Sequence, residues 1–169
     1  MKLHHGVFCL LIITLTQFAQ AAKPSVNSMA KQNLIIELTG KDPSKMTDVG
    51  LYSELVATYQ SNNEIAFKSR LQSFMQNYSK STYADNALFL AGRMALENKN
   101  YPEALRYFHR ITVQYPNSNK VVAAQFSKAV AYKKMNLNPQ AKKVFTEITR
   151  KYPGSPEGFR AQNEIRLIR

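Results

Sequence analysis

Apolar positions in this chain recur at two spacings, one short and one long. Within the segments that follow residue 48, apolar residues fall three or four positions apart, which is typical of amphipathic α-helices. Over a longer distance, three sets of residues repeat every 37 positions: Tyr78, Tyr115 and Tyr152; Ser81, Ser118 and Ser155; Tyr52, Phe89 and Phe126. A period of this length predicts an array of one repeated helix pair, in which neighbouring units cover each other's apolar faces.

The second and third units carry small residues at matching places. Gly92 and Ala104 in one unit correspond to Ala129 and Ala141 in the next. Small side chains at these places predict close contact between the two helices of a pair. The wider set of apolar and proline positions in the two units is Leu88, Ala91, Ala95, Phe108 and Pro116, then Tyr132, Phe145 and Pro153.

Polar turns and prolines predict where the helices begin and end. Asparagine-rich turns at 98–100 and 136–138 are each followed by a proline, which the first turn of a helix tolerates. Tyr-Pro pairs stop the second helix of each unit, since the residue before proline disfavours the helical region. Ser118 and Ser155 are predicted to cap the helices that follow. The predicted helices are 83–97, 101–115, 119–135 and 139–152.

The two ends of the array depart from the repeat. The first unit keeps an apolar pattern through Leu51, Leu55, Phe67, Leu71 and Phe74. Residues 158–169 amount to half a unit with a polar outer face, as expected of a terminal capping helix. The fold class is therefore all-α, a helical-hairpin solenoid of about three units plus a terminal capping helix, over residues 48–169.

The first 47 residues are predicted to lie outside this array. Residues 1–21 form a secretory signal peptide, with an apolar run and a small-x-small cleavage site ending at Ala21. Residues 22–47 contain a predicted helix from Val26 to Leu38, which ends at Gly40, and then a loop. Cys9, the single cysteine, lies in the apolar run, so we expect no disulfide in the mature chain and no lipid anchor.

The repeat resembles the tetratricopeptide pattern, although Leu88 and Gln125 stand where that family usually has tryptophan. With its Tyr-Pro-x-Ser segments at 115–118 and 152–155, the chain is similar to two bacterial envelope families. One is the C-terminal domain of the Tol-Pal-associated (YbgF-like) family, and the other is the BamD-like outer-membrane assembly lipoproteins. The resemblance implies a periplasmic scaffold that binds other proteins.

Candidate chemistry is sparse. His109 is the only histidine after residue 21, and no cysteine or second histidine could complete a metal site with it. We find no phosphate-binding loop and no nucleophile motif. The expectation is that the protein is not an enzyme and needs no cofactor or metal.

The first helices supply the candidate binding surface. In the tetratricopeptide family, the aromatic ladder and the positions one turn later face a concave groove, so we predict that partner-binding residues lie there. An alternative interpretation is that the aromatic side chains pack inside the protein. The predicted partner-binding residues are Tyr52, Tyr59, Phe89, Arg93, Phe126, Lys133 and Lys134.

Positive charge is concentrated near the C-terminus of this chain, whose net charge is +12. Residues 22–119 hold 11 basic and 8 acidic residues, whereas residues 120–169 hold 11 basic and 3 acidic ones. This excess can be a solvated surface or a binding surface for an acidic protein face, membrane headgroups or an anionic cell-wall polymer. Export from the cytoplasm argues against nucleic acid as a partner.

The main functional prediction is an exported periplasmic adaptor that binds a protein partner in cell-envelope assembly or maintenance. The alternative is a binder of envelope anions through the basic C-terminal half. A third possibility is an accessory subunit of a cell-wall enzyme, in which the partner would supply the chemistry. No stable membrane span is expected after signal cleavage.

Overall fold

The computed structural model describes residues 46–168 together with the isolated residues Ile36 and Asp42. Residues 46–168 form helices joined by short turns, without a strand. The predicted signal peptide, Cys9 and most of the predicted N-terminal helix lie outside the described residues. The helices are α1 (Asp48–Gln60), α2 (Glu64–Asn77), α3 (Ala84–Glu97), α4 (Tyr101–Gln114), α5 (Val121–Lys134), α6 (Asn138–Lys151) and α7 (Pro156–Leu167).

Neighbouring helices pair in chain order into three hairpins, α1–α2, α3–α4 and α5–α6, and α7 packs against α6. The first helices of successive units also contact one another, from α1 to α3, α5 and α7. They therefore form one layer, and the second helices α2, α4 and α6 form the other. This arrangement confirms the predicted all-α helical solenoid with a terminal capping helix.

Each hairpin turns through one residue in the left-handed region of backbone space. Asn62, Lys99 and Asn136 have φ values of 52°, 60° and 59° and stand 37 positions apart. Asparagine adopts this conformation more readily than most residues. Asn63 and Asn100 then cap α2 and α4 by accepting a hydrogen bond from the backbone three residues later.

Helix boundaries lie within two residues of those predicted, but one capping prediction is wrong. Ser155 does cap α7, since its Oγ accepts a hydrogen bond from the Gly158 amide at 2.9 Å. Ser118 does not cap α5, which begins after Lys120 without a side-chain cap. The Ser118 hydroxyl instead accepts from the Lys120 amide within the turn and donates to Asp85.

Two tyrosines and two serines of the ladders bond to groups that lie 32 to 36 positions earlier in the chain. The hydroxyl of Tyr115 donates to the carbonyl of Ser79 at 2.6 Å, and the hydroxyl of Tyr78 donates to the carbonyl of Met46. Ser81 donates to Asp48 at 2.8 Å, as Ser118 donates to the equivalent Asp85. These bonds account for the hydroxyl groups at positions 78, 81, 115 and 118, whereas Ser155 caps α7 instead.

The core consists of three apolar clusters stacked along the array. The predicted close contact within the second hairpin is present, since a Cβ atom added at Gly92 would lie 2.5 Å from the ring of Phe108. Ala104 and Ala141 are fully buried, as the matching-unit pattern predicts. The third cluster extends to Ala161 of α7, so the capping helix closes the core at that end.

Candidate functional site

A cleft of about 390 Å³ opens on the layer of first helices, between α3, α5 and α7. Its floor is largely apolar and its edges carry charged groups from two helices. It spans the second unit, the third unit and the capping helix. The lining residues are Phe89, Arg93, Leu96, Ala123, Phe126, Ser127, Val130, Glu157 and Arg160.

The aromatic ladder contributes to this cleft in two different ways. Phe126 is only 5% exposed, and its ring packs against Phe145 with the centroids 5.3 Å apart. Phe89 packs against Phe108 at 5.8 Å but remains half-buried, so part of its ring faces the cleft. The alternative interpretation of the ladder as packing thus describes Phe126 well, whereas Phe89 offers apolar surface.

Arg160 is a cleft residue that the sequence reasoning missed. It extends from α7 and places its guanidinium carbon 4.3 Å from the centroid of the Phe126 ring, a cation–π contact. The capping helix was expected to have a polar outer face, and Arg160 was not among the predicted site residues. The 37-residue period could have identified Arg160 as a cleft residue, because it stands one period after Ala123, which also lines the cleft.

Arg93 stands at the opposite edge of the cleft and belongs to a small polar cluster. Its guanidinium pairs with Glu97 at 3.0 Å and lies 5.8 Å from the centroid of the Tyr59 ring. The Tyr59 hydroxyl donates to Glu97 at 3.1 Å. Partial burial raises the pKa of Tyr59 above its ordinary value; Arg93 opposes this rise and Glu97 adds to it. Tyr59 therefore supports Arg93 from outside the cleft.

Three other predicted site residues do not line the cleft. Tyr52 stacks on Tyr83 with the ring centroids 4.8 Å apart. Lys133 of α5 forms an ion pair with Glu164 of α7 at 2.6 Å, and this pair joins the two helices. Lys134 is exposed. The cation that lines this end of the cleft is Arg160 of α7, while partner binding by Lys133 and Lys134 stays a prediction.

The cleft offers recognition chemistry. Apolar side chains provide surface to bury, the Arg160 guanidinium can pair with a carboxylate while Arg93 is already paired with Glu97, and Glu157 adds one negative charge. Residues 46–168 contain no group of three side chains able to hold a metal ion, and His109 is exposed on α4. In the same part of the chain, no helix has the length and apolar character needed to cross a bilayer.

The fold and the cleft define a tetratricopeptide-type helical solenoid with a peptide-sized groove on its first-helix layer. Comparison with protein families agrees with this class. Residues 82–162, just under half of the 169-residue chain, match the family described as "YfiO: Outer membrane lipoprotein". This match bears out the resemblance to BamD-like proteins inferred from the repeat. A search of curated proteins gave no significant match.

Proposed function

We propose that this protein is a protein-binding module of the bacterial cell envelope that holds a segment of a partner in the cleft between α3, α5 and α7. The observation that carries the proposal is an apolar floor bordered by two arginines, Arg93 and Arg160. The match of residues 82–162 to an outer-membrane lipoprotein family supports a role in outer-membrane assembly or maintenance. The predicted signal peptide agrees with a periplasmic location.

The mechanism is non-covalent recognition by a preformed surface. A partner side chain that covers Phe89, Leu96 and Val130 would remove apolar area from water, which favours binding by roughly 25 cal/mol per Å² before the entropic cost of association. The arginines would orient the partner rather than supply most of the affinity. In this proposal the protein carries out no reaction of its own.

The test is binding to proteins of a Gram-negative envelope extract, with the full chain immobilised. Phe89→Ala removes floor area and should weaken retention of the specific partner by about tenfold. Val113→Ala is the matched control, because Val113 is an apolar residue of α4 that is 61% exposed and does not line the cleft. Equal retention by both variants and the wild type would refute the cleft as the binding site.

Helices α5 and α6 carry exposed cations, so the alternative function, binding to envelope anions, can also be tested. These cations are Lys134, Lys142, Lys143 and Arg150. Raising the salt concentration to about 0.5 M should strip an anionic polymer from such a surface, because exposed charges are then largely screened. A partner held by the apolar cleft should stay bound. At low salt, charge reversal at Lys134 and Lys143 should likewise release an anionic polymer and leave a partner in the apolar cleft bound.

A further inference from the structure

A second cleft, of about 400 Å³, lies on the other layer of the solenoid, between the second helices α2 and α4. It spans the first and second units, whereas the first-helix cleft spans the second unit, the third unit and the cap. We refer to this second-layer cleft as the outer groove. Its lining residues are Lys68, Leu71, Gln72, Met75, Gln76, Tyr107 and Arg110.

The outer groove has an apolar floor with polar edges. Leu71 is buried, with 5% of its surface exposed, and Met75 and Tyr107 are half-buried between the helices. Methionine adapts its shape to a contacting surface more easily than branched side chains do. The exposed amides of Gln72 and Gln76 border the floor along α2.

The length of the groove fits a helix better than a single side chain. Its α2 residues run from Lys68 to Gln76, which is about 12 Å of helix at 1.5 Å per residue. That distance equals about two turns, so apolar residues at positions i and i+4 of a partner helix could cover the floor, and the residue at i+7 would lie near its far end. Helices pack in this way when the side-chain ridge of one lies in the groove between others.

Charge in the outer groove is uneven. Lys68 is already compensated, with its ammonium 2.6 Å from Glu64 and 3.0 Å from Glu103. Arg110 stands nearer the other end, where its Nε donates to Gln114 at 3.4 Å. Among residues 46–168, no carboxylate lies within ion-pair distance of Arg110, and no carboxylate lines the groove.

The same place in the next pair of units has the opposite charge. One period after Arg110 stands Glu147, which pairs with Lys151 at 2.5 Å. One period after Met75 stands Thr112, so the apolar floor is also interrupted there. The cationic, methionine-bearing groove is therefore a feature of the first two units and does not follow from the repeat.

We propose that the outer groove is a second docking surface, which receives an amphipathic helix of a protein partner with a carboxylate placed to meet Arg110. Because this groove and the first-helix cleft lie on different layers, both can be occupied at once. The protein would then join two partners. The proposal stands independently of what binds the first-helix cleft.

The probe is an amphipathic helical peptide of about 15 residues, with leucines at i and i+4 and aspartate at i+7. A matched peptide has lysine in place of the aspartate. Fluorescence anisotropy should show the aspartate peptide binding about tenfold more tightly than the lysine peptide, and Arg110→Glu should reverse that order. Arg106→Glu makes the same charge change one turn earlier on α4, outside the groove lining, and should preserve it.

Further variants separate this surface from the first-helix cleft. Phe89→Ala should leave peptide binding unchanged, whereas Met75→Asp should abolish it. Arg110→Gln, with circular dichroism as a folding control, replaces the charge reversal if Arg110→Glu fails to fold. Equal affinity for the two peptides, unchanged binding by the Arg110 variants, or no binding of the aspartate peptide at about 1 mM would overturn the proposal.

Discussion

The first hairpin and the second hairpin reach the same architecture with different side chains. At one pair of equivalent places the first hairpin has Leu55 and Leu71, whereas the second has Gly92 and Phe108. All four residues are buried. A large ring in the second helix is thus accompanied by the smallest possible residue in the first helix, and two leucines of intermediate size fill the same space in the other unit.

The third hairpin follows the second, with Ala129 and Phe145 at these places. What the units share is a similar number of side-chain carbons across the helix contact, eight, seven and eight in chain order, together with the turns that bring the helices together. Compensated exchanges of large and small residues are tolerated in protein cores, while uncompensated ones are not. The comparison predicts that residues can be exchanged between units only as pairs.

The largest expected effect comes from breaking such a pair. Gly92→Leu should lower the free energy of unfolding by about 3 kcal/mol or more, because even a Cβ atom would lie 2.5 Å from the Phe108 ring. Adding Phe108→Leu copies the Leu55–Leu71 pair into the second hairpin and should recover at least half of the loss. Urea denaturation of the single and double variants measures the coupling. If the double variant is no more stable than Gly92→Leu, Phe108→Leu does not relieve the overpacking, and the two positions are not exchangeable as a pair.

A second prediction concerns the alanines at the helix contact. Ala104→Leu and Ala141→Leu should each lower the free energy of unfolding by about 1–3 kcal/mol through overpacking, since both residues are fully buried. The first hairpin has the larger Phe67 at the equivalent place. Ala57→Leu, at an exposed position of α1, is the control. If both alanine variants have the denaturation midpoint of the control, the helix contact does not lie at Ala104 and Ala141.

The next effect tests the hydrogen bonds between units. Ser118→Ala should lower the free energy of unfolding by about 1 kcal/mol, because it leaves Asp85 without its hydroxyl partner and removes the acceptor for the Lys120 amide. The third unit has Val122 in place of the aspartate. An Asp85→Ala and Ser118→Ala double-mutant cycle isolates the bond, and additive losses would show that it contributes nothing.

The smallest effect is expected at the polar contacts between the first two units. Lys68→Met should change the free energy of unfolding by no more than about 1 kcal/mol, since exposed ion pairs contribute little. Lys68 lowers the pKa of Glu64, mainly by hydrogen bonding. A lowered folded-state pKa stabilises the protein above the unfolded-state pKa of that carboxyl, and this stabilisation is lost as the pH falls through the folded-state value.

Unfolding measured between neutral and acidic pH tests this contribution. The stability difference between wild type and Lys68→Met should shrink as Glu64 becomes protonated. Lys99→Met, which removes an exposed lysine without an ion pair in residues 46–168, serves as the control. A difference that is constant across the acid range would show that the Glu64 contact adds no stability.

Much of the fold could be predicted because its signals are local. The asparagine-rich turns at 98–100 and 136–138 and the prolines at helix starts act within a few residues of the chain. Ser118 was assigned wrongly because its partner, Asp85, lies in the preceding unit, 33 residues away. A serine before a helix is a common cap, and only contact between units shows that this one donates elsewhere.

The candidate site shows the same limit. Its apolar floor was foreseen through Phe89 and Phe126, because a ladder of equivalent positions must fall on one layer of a helical array. Of the charged residues at its edges, Arg93 was predicted, whereas Glu157 and Arg160 were not. Arg160 reaches Phe126 and Lys133 is paired with Glu164 only because α7 lies across the end of the groove.

By itself, the sequence determined the repeat, its helices and their turns, since a 37-residue period and the residues that begin and end helices are properties of neighbouring positions. The tertiary structure decided which charges are paired and which face a cleft. Side chains as long as arginine and lysine can meet several partners within their reach. The angle at which one unit stacks on the next selects among those partners, and that angle depends on packing summed over whole interfaces.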